Sequence, residues 1–443
     1  MEGSLSTRRH LPPDRGDVMP SRTPRATPDL KVALVCDYSL DYLGGAQSAF
    51  LDEARILAAD GAHVTVVAPR AKASRRSAAA HPATENPAML DVEVRRVLPG
   101  LDLPLLRNRP QLRRRLREEF TARGIQVVHV HSEFGLTAAA IDVARELGLP
   151  VVHTVHTFFW QARMPAVFEP IAAVITRTFA RCVRSHPVSG TALAPSATDS
   201  ALRGMTLSTA ERADVVVSPS AHQADRLRAA GVHRVAVIPN AAPEATQAEP
   251  LTSVDGPVRL VWVGRLAPEK RVLEFVRAAR TAQALLRPGA LSIEIIGDGP
   301  LRRAVEDAAD PAGPEPRPDI LVTGRLSRDE VRARVRRAHL VALTSLGFDN
   351  QPVVVVEAFT EARSVVYVDA DLREGLSEGG ILVPSDVPGM AEALVRLVRQ
   401  PSDIVDASRR AHRAAAVFSP AHHAELLRRV YADAGAPVAA PAR

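Results

Sequence analysis

Two pairs of charged residues in the second half of the chain have the types and spacing to bind a phosphorylated sugar compound. Arg265 and Lys270 lie five residues apart, directly after an apolar run that ends at Val263. The chain has only three lysines, so a lysine at this point stands out against a strong bias toward arginine. A forked guanidinium and a compact ammonium together suit a diphosphate. Asp349 and Glu357, eight residues apart, suit sugar hydroxyls, and the four residues together suggest a nucleotide-sugar site.

Two turns could direct backbone amides at such a ligand. The Gly44–Gly45 pair follows a predicted strand and precedes a predicted helix, where glycine permits close approach and the helix end is electropositive. It is not the dinucleotide fingerprint, and a plain tight turn explains it equally well. Further on, Pro352 fits the first turn of a helix and would leave the amides of Val353 and Val354 pointing outward. The simpler alternative is that Asp349 only caps this helix.

Four histidines flank the ends of two predicted strands: His129, His131, His153 and His156. Their spacing raises the question of a zinc site, but no third type of ligand clusters nearby in the sequence. We therefore predict no metal. A single imidazole at the carboxyl end of a strand, pointing into a cleft, fits better. His156 is the best candidate because it is the last residue of its predicted strand, and a structural histidine is the alternative.

The arginine-rich segment 107–123 has the pattern of a helix with one apolar face. Leu112, Leu116 and Phe120 recur every four residues, and arginines fill much of the remainder. Such a helix can lie on anionic lipid. The alternative, which we favour, is a solvated surface helix whose arginines pair with Glu118 and Glu119. Nucleic-acid binding is disfavoured because the sequence shows no aromatic interleaving and no recognisable module.

Length and composition set the broad class. A chain of 443 residues with 46% hydrophobic content predicts two α/β domains. The net charge of +6 permits an acidic partner without choosing one. Cys36 and Cys182 lack metal-ligand spacing, and no apolar run approaches the ~20 residues that a membrane helix needs. We expect a cytoplasmic protein, with the inner face of the membrane as its further location if 107–123 binds lipid.

Strands and helices alternate along the chain in two series, which predicts two doubly wound parallel sheets facing a cleft. Residues 1–28 have the composition of a disordered tail. The first domain is predicted over 29–243, the linker over 244–256 and the second domain over 257–418. A final helix, 420–434, is expected to cross back and complete the first domain.

An ordered set of motifs resembles the retaining GT-B glycosyltransferases of family 4, over nearly all of residues 31–434. The matching pieces are GGAQ, VVHVHSEFG, HTVHT, ADVVVSPS, VIPNA, VGRLAPEK, IIGDGPLR, VTGRLSRDEV and the acidic residue followed by Glu357. This resemblance implies a GT-B architecture of two Rossmann-like domains. It also implies a nucleotide-sugar donor, a hydroxyl acceptor, transfer with retention at the anomeric carbon, and neither a metal nor a cofactor.

The resemblance also implies roles by position. Arg265 and Lys270 would grip the donor diphosphate, Glu357 would hold the ribose, and Asp349 would contact the donor sugar. His156 would lie near the transferred sugar. The remaining donor-binding positions implied by the motifs are Gly45, Gly264, Asn350, Val353 and Val354.

The chain departs from the family pattern around 349–364. Asp349 stands where the family usually has Glu, and Asn350-Gln351-Pro352 replaces a glycine-containing turn. These departures motivate the alternative of a non-catalytic sugar-nucleotide-binding partner protein with a degenerate site. A pyridoxal-dependent sugar phosphorylase is disfavoured because Lys270 is the only lysine of the second domain. The segment HTFFWQARMPAVFEP is loosely similar to members that glycosylate lipids, so a lipid or cell-envelope glycan is the expected acceptor class.

Overall fold

The computed structural model describes residues 30–40, 45–71, 87–94, 97–98, 103–104, 106–156, 169–188, 190, 192–242, 244, 248–310 and 319–438. The predicted disordered tail, Gly44 of the glycine turn, and residues 157–168 of the lipid-acceptor-like segment lie outside these ranges.

The first sheet has seven strands, all parallel, in the order β3-β2-β1-β6-β7-β8-β9. Its strands are rich in valine, whose branched side chain favours the pleated backbone. The bounds are β1 Lys31–Val35, β2 His63–Ala71, β3 Ala88–Val94, β6 Val127–Val130, β7 Val151–Thr154, β8 Val215–Ser218 and β9 Val235–Val237. A separate antiparallel pair joins β4 Val97–Leu98 to β5 Leu103–Pro104.

The second sheet has six parallel strands in the order β12-β11-β10-β13-β14-β15. Their bounds are β10 Val258–Val263, β11 Leu291–Ile296, β12 Ile320–Gly324, β13 Leu340–Leu343, β14 Ser364–Tyr367 and β15 Ile381–Leu382. In both sheets the order reverses beside one central strand, β1 or β10. Loops that leave neighbouring strands in opposite directions open a crevice there, where open parallel sheets bind ligands.

Helices connect most of the strands. Those of the first half are α1 Gly45–Ala59, α2 Pro110–Arg123, α3 Gly135–Glu146, α4 Glu169–Arg184, α5 Ala197–Ala210 and α6 Ala221–Ala229. Those of the second half are α7 Val272–Ala284, α8 Arg302–Ala309, α9 Arg328–Arg337, α10 Val353–Thr360, α11 Leu376–Gly379, α12 Val387–Arg399, α13 Pro401–Ala414 and α14 Pro420–Ala434. Short 3-10 helices cover Pro268–Lys270 and Ala415–Phe418.

The last helix leaves the second sheet and packs on the first. Leu427, Val430 and Tyr431 of α14 are buried in the same apolar cluster as Val32 and Leu34 of β1. Helix α14 therefore contributes apolar side chains to the core beside the first sheet.

The structure corrects two details of the sequence analysis. Strand β3, over Ala88–Val94, was not identified in the sequence. This strand lies at the edge of its sheet, and it buries Leu90, Val92 and Val94 while its other side chains are more exposed. The strand before His156 also ends early, at Thr154, so His156 lies two residues beyond it.

Candidate functional site

The loop after β10 is fixed by neighbouring backbone. The amide of Gly264 donates to Ile296 O at 3.0 Å, and the amide of Leu266 donates to Asp298 O at 3.0 Å. Gly297 has φ 148°, and a Cβ atom at this residue would lie 1.8 Å from Gly264 O. Only glycine permits this close approach. The loops after β10 and β11 therefore form one rigid unit at the switch point of the second sheet.

This unit holds the two predicted cations differently. Arg265 is exposed, and within the described residues its side chain makes no hydrogen bond or ion pair. Lys270 is the last residue of the 3-10 helix, and Arg271 directly after it adopts the left-handed conformation at φ 53°. Such a conformation costs a non-glycine residue roughly 1 kcal/mol. The Arg271 guanidinium donates to Ser385 O at 2.6 Å, and this hydrogen bond helps to hold Arg271 in the left-handed conformation.

Lys270 and Asp349 meet in an ion pair between the Lys270 Nζ and one carboxylate oxygen. The hydroxyl of Ser345 donates to the other oxygen of Asp349. The Thr344 hydroxyl donates to Lys270 O at 2.8 Å and ties together the two loops that carry the pair. Asp349 is therefore not a helix cap. The N-cap residue of α10 is Pro352, and no side-chain hydrogen bond caps this helix. The alternative in which Asp349 caps the helix is therefore wrong.

The start of α10 faces the start of α1 across the cleft. Val353 and Val354 are the first two residues of α10, and their amides have no acceptor within the described part of the chain. A Cβ atom on Gly45, the first residue of α1, would lie 3.7 Å from Val353 Cγ2. Helix N-termini attract anions. The structure thus brings together the two predicted amide-bearing turns, one from each domain.

Asn350 and Gln351 reach into the first domain. The Asn350 amide Nδ2 donates to His156 O at 3.1 Å, and its Oδ1 accepts from the Ser220 hydroxyl. Gln351 Oε1 accepts a hydrogen bond from the backbone amide of Asn240 at 2.5 Å. Asn350 was predicted to bind donor, but here its side chain is used to join the domains and to hold the backbone of His156.

Glu357 lies beside an interdomain ion pair that sequence reasoning missed. Arg328 donates to both carboxylate oxygens of Asp52, at 2.7 and 3.1 Å, and its Nε lies 3.7 Å from Glu357 Oε1. Burial raises the pKa of Glu357, although Arg328 opposes this. No local pattern marks such a contact, since Asp52 and Arg328 are 276 residues apart.

His156 belongs to a buried cluster of imidazoles around one carboxylate. His131 Nδ1 lies 3.0 Å from His156 Nε2. Glu53 Oε1 lies 3.1 Å from His129 Nδ1 and 3.2 Å from His131 Nε2. Burial, together with the neighbouring His131, lowers the pKa of His156 to about 3, so its ring is neutral near pH 7.

This cluster changes the argument about metal. The sequence showed no third type of ligand near the histidines, but α1 places Glu53 against His129 and His131. These three side chains could hold a metal ion. The alternative arrangement is a hydrogen-bonded network, in which His129 Nδ1 also lies 2.9 Å from Tyr431 Oη and His129 Nε2 lies 2.7 Å from Thr154 Oγ1. His153 does not join it. It lies on the opposite side, with Nε2 3.9 Å from Glu133.

A second buried polar cluster lies at the carboxyl ends of β1 and β6. Asp37 accepts from the amide of Leu136 at 2.7 Å and caps α3 from outside the helix. Burial raises the pKa of Glu133 to about 8, and Asp37 adds to this effect while Arg184 opposes it. Burial also lowers the pKa of Arg184, to about 10. None of these groups was singled out from the sequence.

The arginines of α2 are largely engaged by protein acceptors. Leu116 and Phe120 are buried as predicted. Ion pairs join Arg113 to Asp142, Arg114 to Glu118, Arg117 to Glu146 and Arg123 to Glu119, and Arg115 donates to Asp91 O. These contacts favour the solvated-helix alternative.

Comparison with known proteins identifies the family. A model described as Glycosyltransferase Family 4 matches residues 43–245, and one described as Glycosyl transferases group 1 matches residues 244–404. The chain belongs to the group 1 glycosyltransferases. The two matches together cover the whole second sheet of this glycosyltransferase and every strand of the first sheet except β1.

Curated relatives of this glycosyltransferase are distant. It is 25% identical over 405 residues to a phosphatidyl-myo-inositol mannosyltransferase of Mycolicibacterium smegmatis, covering 87% of the chain and 90% of that protein. It is 28% identical over 191 residues to an exopolysaccharide phosphotransferase of Streptomyces coelicolor, covering 42% of the chain but only 19% of that protein.

Solved structures share its fold. Sucrose-phosphate synthase from Thermosynechococcus elongatus matches with a TM-score of 0.62 at 16% identity, covering 91% of this chain and 98% of that one. Anabaena HepE in complex with UDP matches with a TM-score of 0.58 at 14% identity, covering 91% and 100%. These likenesses support the GT-B arrangement of two Rossmann-like domains. Within the described residues, no helix combines the length and apolar character needed to cross a membrane.

Proposed function

We propose that this protein is a retaining, metal-independent glycosyltransferase that moves a sugar from a nucleotide-sugar donor to a hydroxyl acceptor. The observation that carries the proposal is the ion pair of Lys270 with Asp349 at the switch point of the second sheet. It lies close in sequence to the open amides of Val353 and Val354. HepE, which shares the fold, has been solved with UDP and with UDP-glucose.

Positive charge for a departing diphosphate is available from this chain's own groups. The exposed guanidinium of Arg265, the ammonium of Lys270 and the N-terminus of α10 would stabilise charge as it develops. Because these groups do the work that a cation does elsewhere, no metal is required in the proposed reaction. In the front-face route that we propose, the acceptor hydroxyl attacks the anomeric carbon on the side that the diphosphate leaves. The departing phosphate oxygen takes the hydroxyl proton.

The other predicted site residues would take positions around this centre. Glu357 would hold the ribose hydroxyls, either in place of its contact with Arg328 or in addition to it. Asp349 would contact the donor sugar, and His156 would approach it from the first domain. Gly45 and Gly264 would let backbone come close to the diphosphate. The interdomain contact of Asn350 makes its role in donor binding indirect.

The acceptor class is proposed to be a lipid or a cell-envelope glycan. The 25% identity to a mannosyltransferase named for phosphatidyl-myo-inositol supports a lipid-linked acceptor. We also propose that segment 107–123 contacts anionic membrane. The ion pairs of α2 already engage most of the arginines within the helix, so these arginines would not carry the contact. It would use the exposed Arg107 and Arg109 that precede the helix. Flotation that does not depend on anionic lipid, or that survives Arg107→Glu with Arg109→Glu, would count against it.

The test is donor binding followed by transfer, with a chelator present throughout. Binding of a donor raises the melting temperature by mass action. We expect one nucleotide sugar to stabilise the wild type and the Lys31→Ala control, but not Lys270→Ala. Lys31 starts β1, at the end of the strand away from the cleft.

Turnover separates the proposal from its alternative. We expect the bound donor to be hydrolysed or transferred with retained anomeric configuration, as measured by proton NMR, and Lys270→Ala to abolish this turnover in a folded protein. Donor binding without hydrolysis or transfer to any acceptor would instead establish the non-catalytic binding partner. Turnover that disappears with chelator and returns with a divalent cation would refute metal independence.

A further inference from the structure

We propose that Glu53, His129 and His131 bind a structural zinc ion that fastens α1 to the first sheet. All three residues belong to the first domain, whereas Lys270 and Asp349 belong to the second. The ion takes no part in the proposed reaction, so the site does not depend on the proposed function. The proposal differs from the expectation of no metal, which was drawn because the sequence shows no third ligand beside the histidines.

Two elements of the first domain supply the ligands. His129 lies in β6 and His131 directly follows its last residue. Side chains two residues apart in an extended chain face the same side of a sheet. Glu53 comes from the buried face of α1. An ion held between them would fix α1, whose first residue, Gly45, faces Val353 across the cleft.

The ligand atoms are already gathered at nearly the spacing of a metal site. Glu53 Oε1 lies 3.1 Å from His129 Nδ1 and 3.2 Å from His131 Nε2. One ligand atom from each of the three residues lies within 4.8 Å of the others. Zinc bonds to nitrogen and oxygen are about 2.0–2.2 Å long, which places neighbouring ligands of a tetrahedral ion about 3.3–3.6 Å apart. Small movements of the side chains would therefore complete the geometry.

Hydrogen bonds within the protein leave part of this cluster unsatisfied. Glu53 Oε1 and His131 Nε2 are buried, and neither atom has a hydrogen-bond partner among the described residues. A buried polar atom without a partner costs about 1–3 kcal/mol. A cation would satisfy both atoms at once, because it binds their lone pairs and needs no N–H aligned between them.

The second nitrogen of each imidazole faces another polar group. His129 Nε2 lies 2.7 Å from Thr154 Oγ1, and His131 Nδ1 lies 3.0 Å from His156 Nε2. Histidines that bind metal are usually oriented by a contact of this kind at the ring nitrogen away from the ion. These contacts hold both rings with the remaining nitrogen toward Glu53.

Helix α14 closes the site. Tyr431 Oη lies 2.9 Å from His129 Nδ1, and His423 Nε2 lies 3.4 Å from Glu53 Oε2. Three protein ligands leave one position of a tetrahedral zinc, which Tyr431 Oη or a water molecule would fill. Glu53, His129 and His131 are each at most 6% exposed, so the ion should exchange slowly with solvent. Two imidazoles and a carboxylate in a closed site suit zinc.

The metal content of the wild-type protein is the first test. After expression with added zinc and dialysis against EDTA, elemental analysis should find about one zinc ion per chain. Metal-free protein, prepared by unfolding in guanidinium with a strong chelator, should take up zinc on refolding and then melt at a higher temperature than without it. A chain that retains no zinc through purification and binds none on refolding overturns the proposal.

Cobalt reports on the ligands in the same protein. Co²⁺ added during refolding should give the intense visible absorption of a tetrahedral site. The weak absorption of an octahedral, water-rich ion would refute a buried site. This measurement uses the wild type alone, so it decides the question even if the variants fail to fold.

Two variants and a control identify the residues. Glu53→Gln and His131→Gln should each weaken zinc binding by more than about a hundredfold, because losing a contact that only orients a ligand already costs about tenfold to a hundredfold. His153→Gln should bind zinc like the wild type, since His153 is also buried but lies beside Glu133 instead. Equal zinc binding by all three variants would show an adventitious ion only and refute the site.

The donor assay is separate from these measurements. Lys270→Ala should keep its zinc while it loses donor binding, because the two sites share no residue. Chelator in that assay is expected to leave the buried ion in place. A complete lack of donor turnover would count against the proposed function and would leave the zinc and cobalt results unchanged.

Discussion

Arg328 of the second domain grips both carboxylate oxygens of Asp52 in the first domain, at 2.7 and 3.1 Å. The side chain of Asp52 is buried and that of Arg328 is partly exposed. The pair closes the cleft beside Glu357, the residue proposed to hold the ribose. A donor that enters this site must therefore reorganise a contact between the domains.

Breaking this pair should open the cleft. For Asp52→Asn we expect the ratio of open to closed molecules to rise by about fivefold, because a partly exposed ion pair contributes about 1 kcal/mol. Small-angle scattering without ligand should then give a larger radius of gyration. Asp225→Asn is the matched control, since Asp225 pairs with Arg228 inside α6 and forms no ion pair with the described residues of the second domain. Equal radii of gyration for the two variants would contradict a role of the Arg328–Asp52 ion pair in closing the cleft.

Asp349 should be needed for donor use, and its length should matter. Asp349→Asn removes the charge that meets Lys270, and we expect kcat/KM for the donor to fall by about tenfold to a hundredfold, the range for a hydrogen bond to a charged group. Asp349→Glu restores the residue usual in the family. If the shorter acid sets donor choice, this variant should change the ranking of nucleotide sugars in a competition assay. An identical ranking would remove that explanation for the departure.

Gly297→Ala should displace the loop that carries Arg265. The added Cβ would lie 1.8 Å from Gly264 O, a distance that only movement of the loop can relieve. We expect a lower melting temperature and loss of donor binding. Gly289→Ala is the control, because Gly289 also has positive φ but no atom within 4 Å of the added carbon. Comparable effects in the two variants would show that backbone strain, rather than the clash, is responsible.

Glu133 should make the protein less stable as the pH rises. Its pKa in the folded protein is raised to about 8, so the folded state holds this proton more tightly than the unfolded chain. The contribution of this proton to the free energy of unfolding is complete below the ordinary carboxyl pKa. It decreases as the pH rises from there through about 8, by up to about 1.4 kcal/mol per pH unit. Asp37 and Arg184 face this carboxyl group, and Asp37 raises its pKa whereas Arg184 lowers it. Melting curves of Glu133→Gln should show a weaker decline with pH than the wild type, and parallel curves would contradict the assignment.

The sequence predicted the sheets well where apolar runs are short and bounded. The strands of the second sheet over Val258–Val263, Leu291–Ile296 and Leu340–Leu343 consist mostly of apolar, often branched residues, which is the pattern that predicts buried strands of a parallel sheet. Strand β3 was missed because an edge strand buries only alternate residues and its Ala88–Val94 stretch includes acidic side chains.

The site was predictable only in part. Lys270 and Asp349, which the motifs assign to one ligand site, lie next to each other in the structure. The spacing of residues in the sequence predicts neither their ion pair nor the hydrogen bond from Ser345 to Asp349. Arg328, Asp52 and Glu53 were missed for a physical reason. Their partners are set by how two domains and a returning helix pack, and no short pattern encodes contacts across hundreds of residues.

The returning helix also has a consequence for how the protein is made. The hydroxyl of Tyr431 lies 2.9 Å from His129, a residue 302 positions earlier in the chain. His423 likewise reaches Glu53 from α14. During synthesis the first sheet can form early, but its histidine cluster stays incomplete until the ribosome has released α14. The surroundings of His156 are therefore completed only after the second domain and α14 have been synthesised.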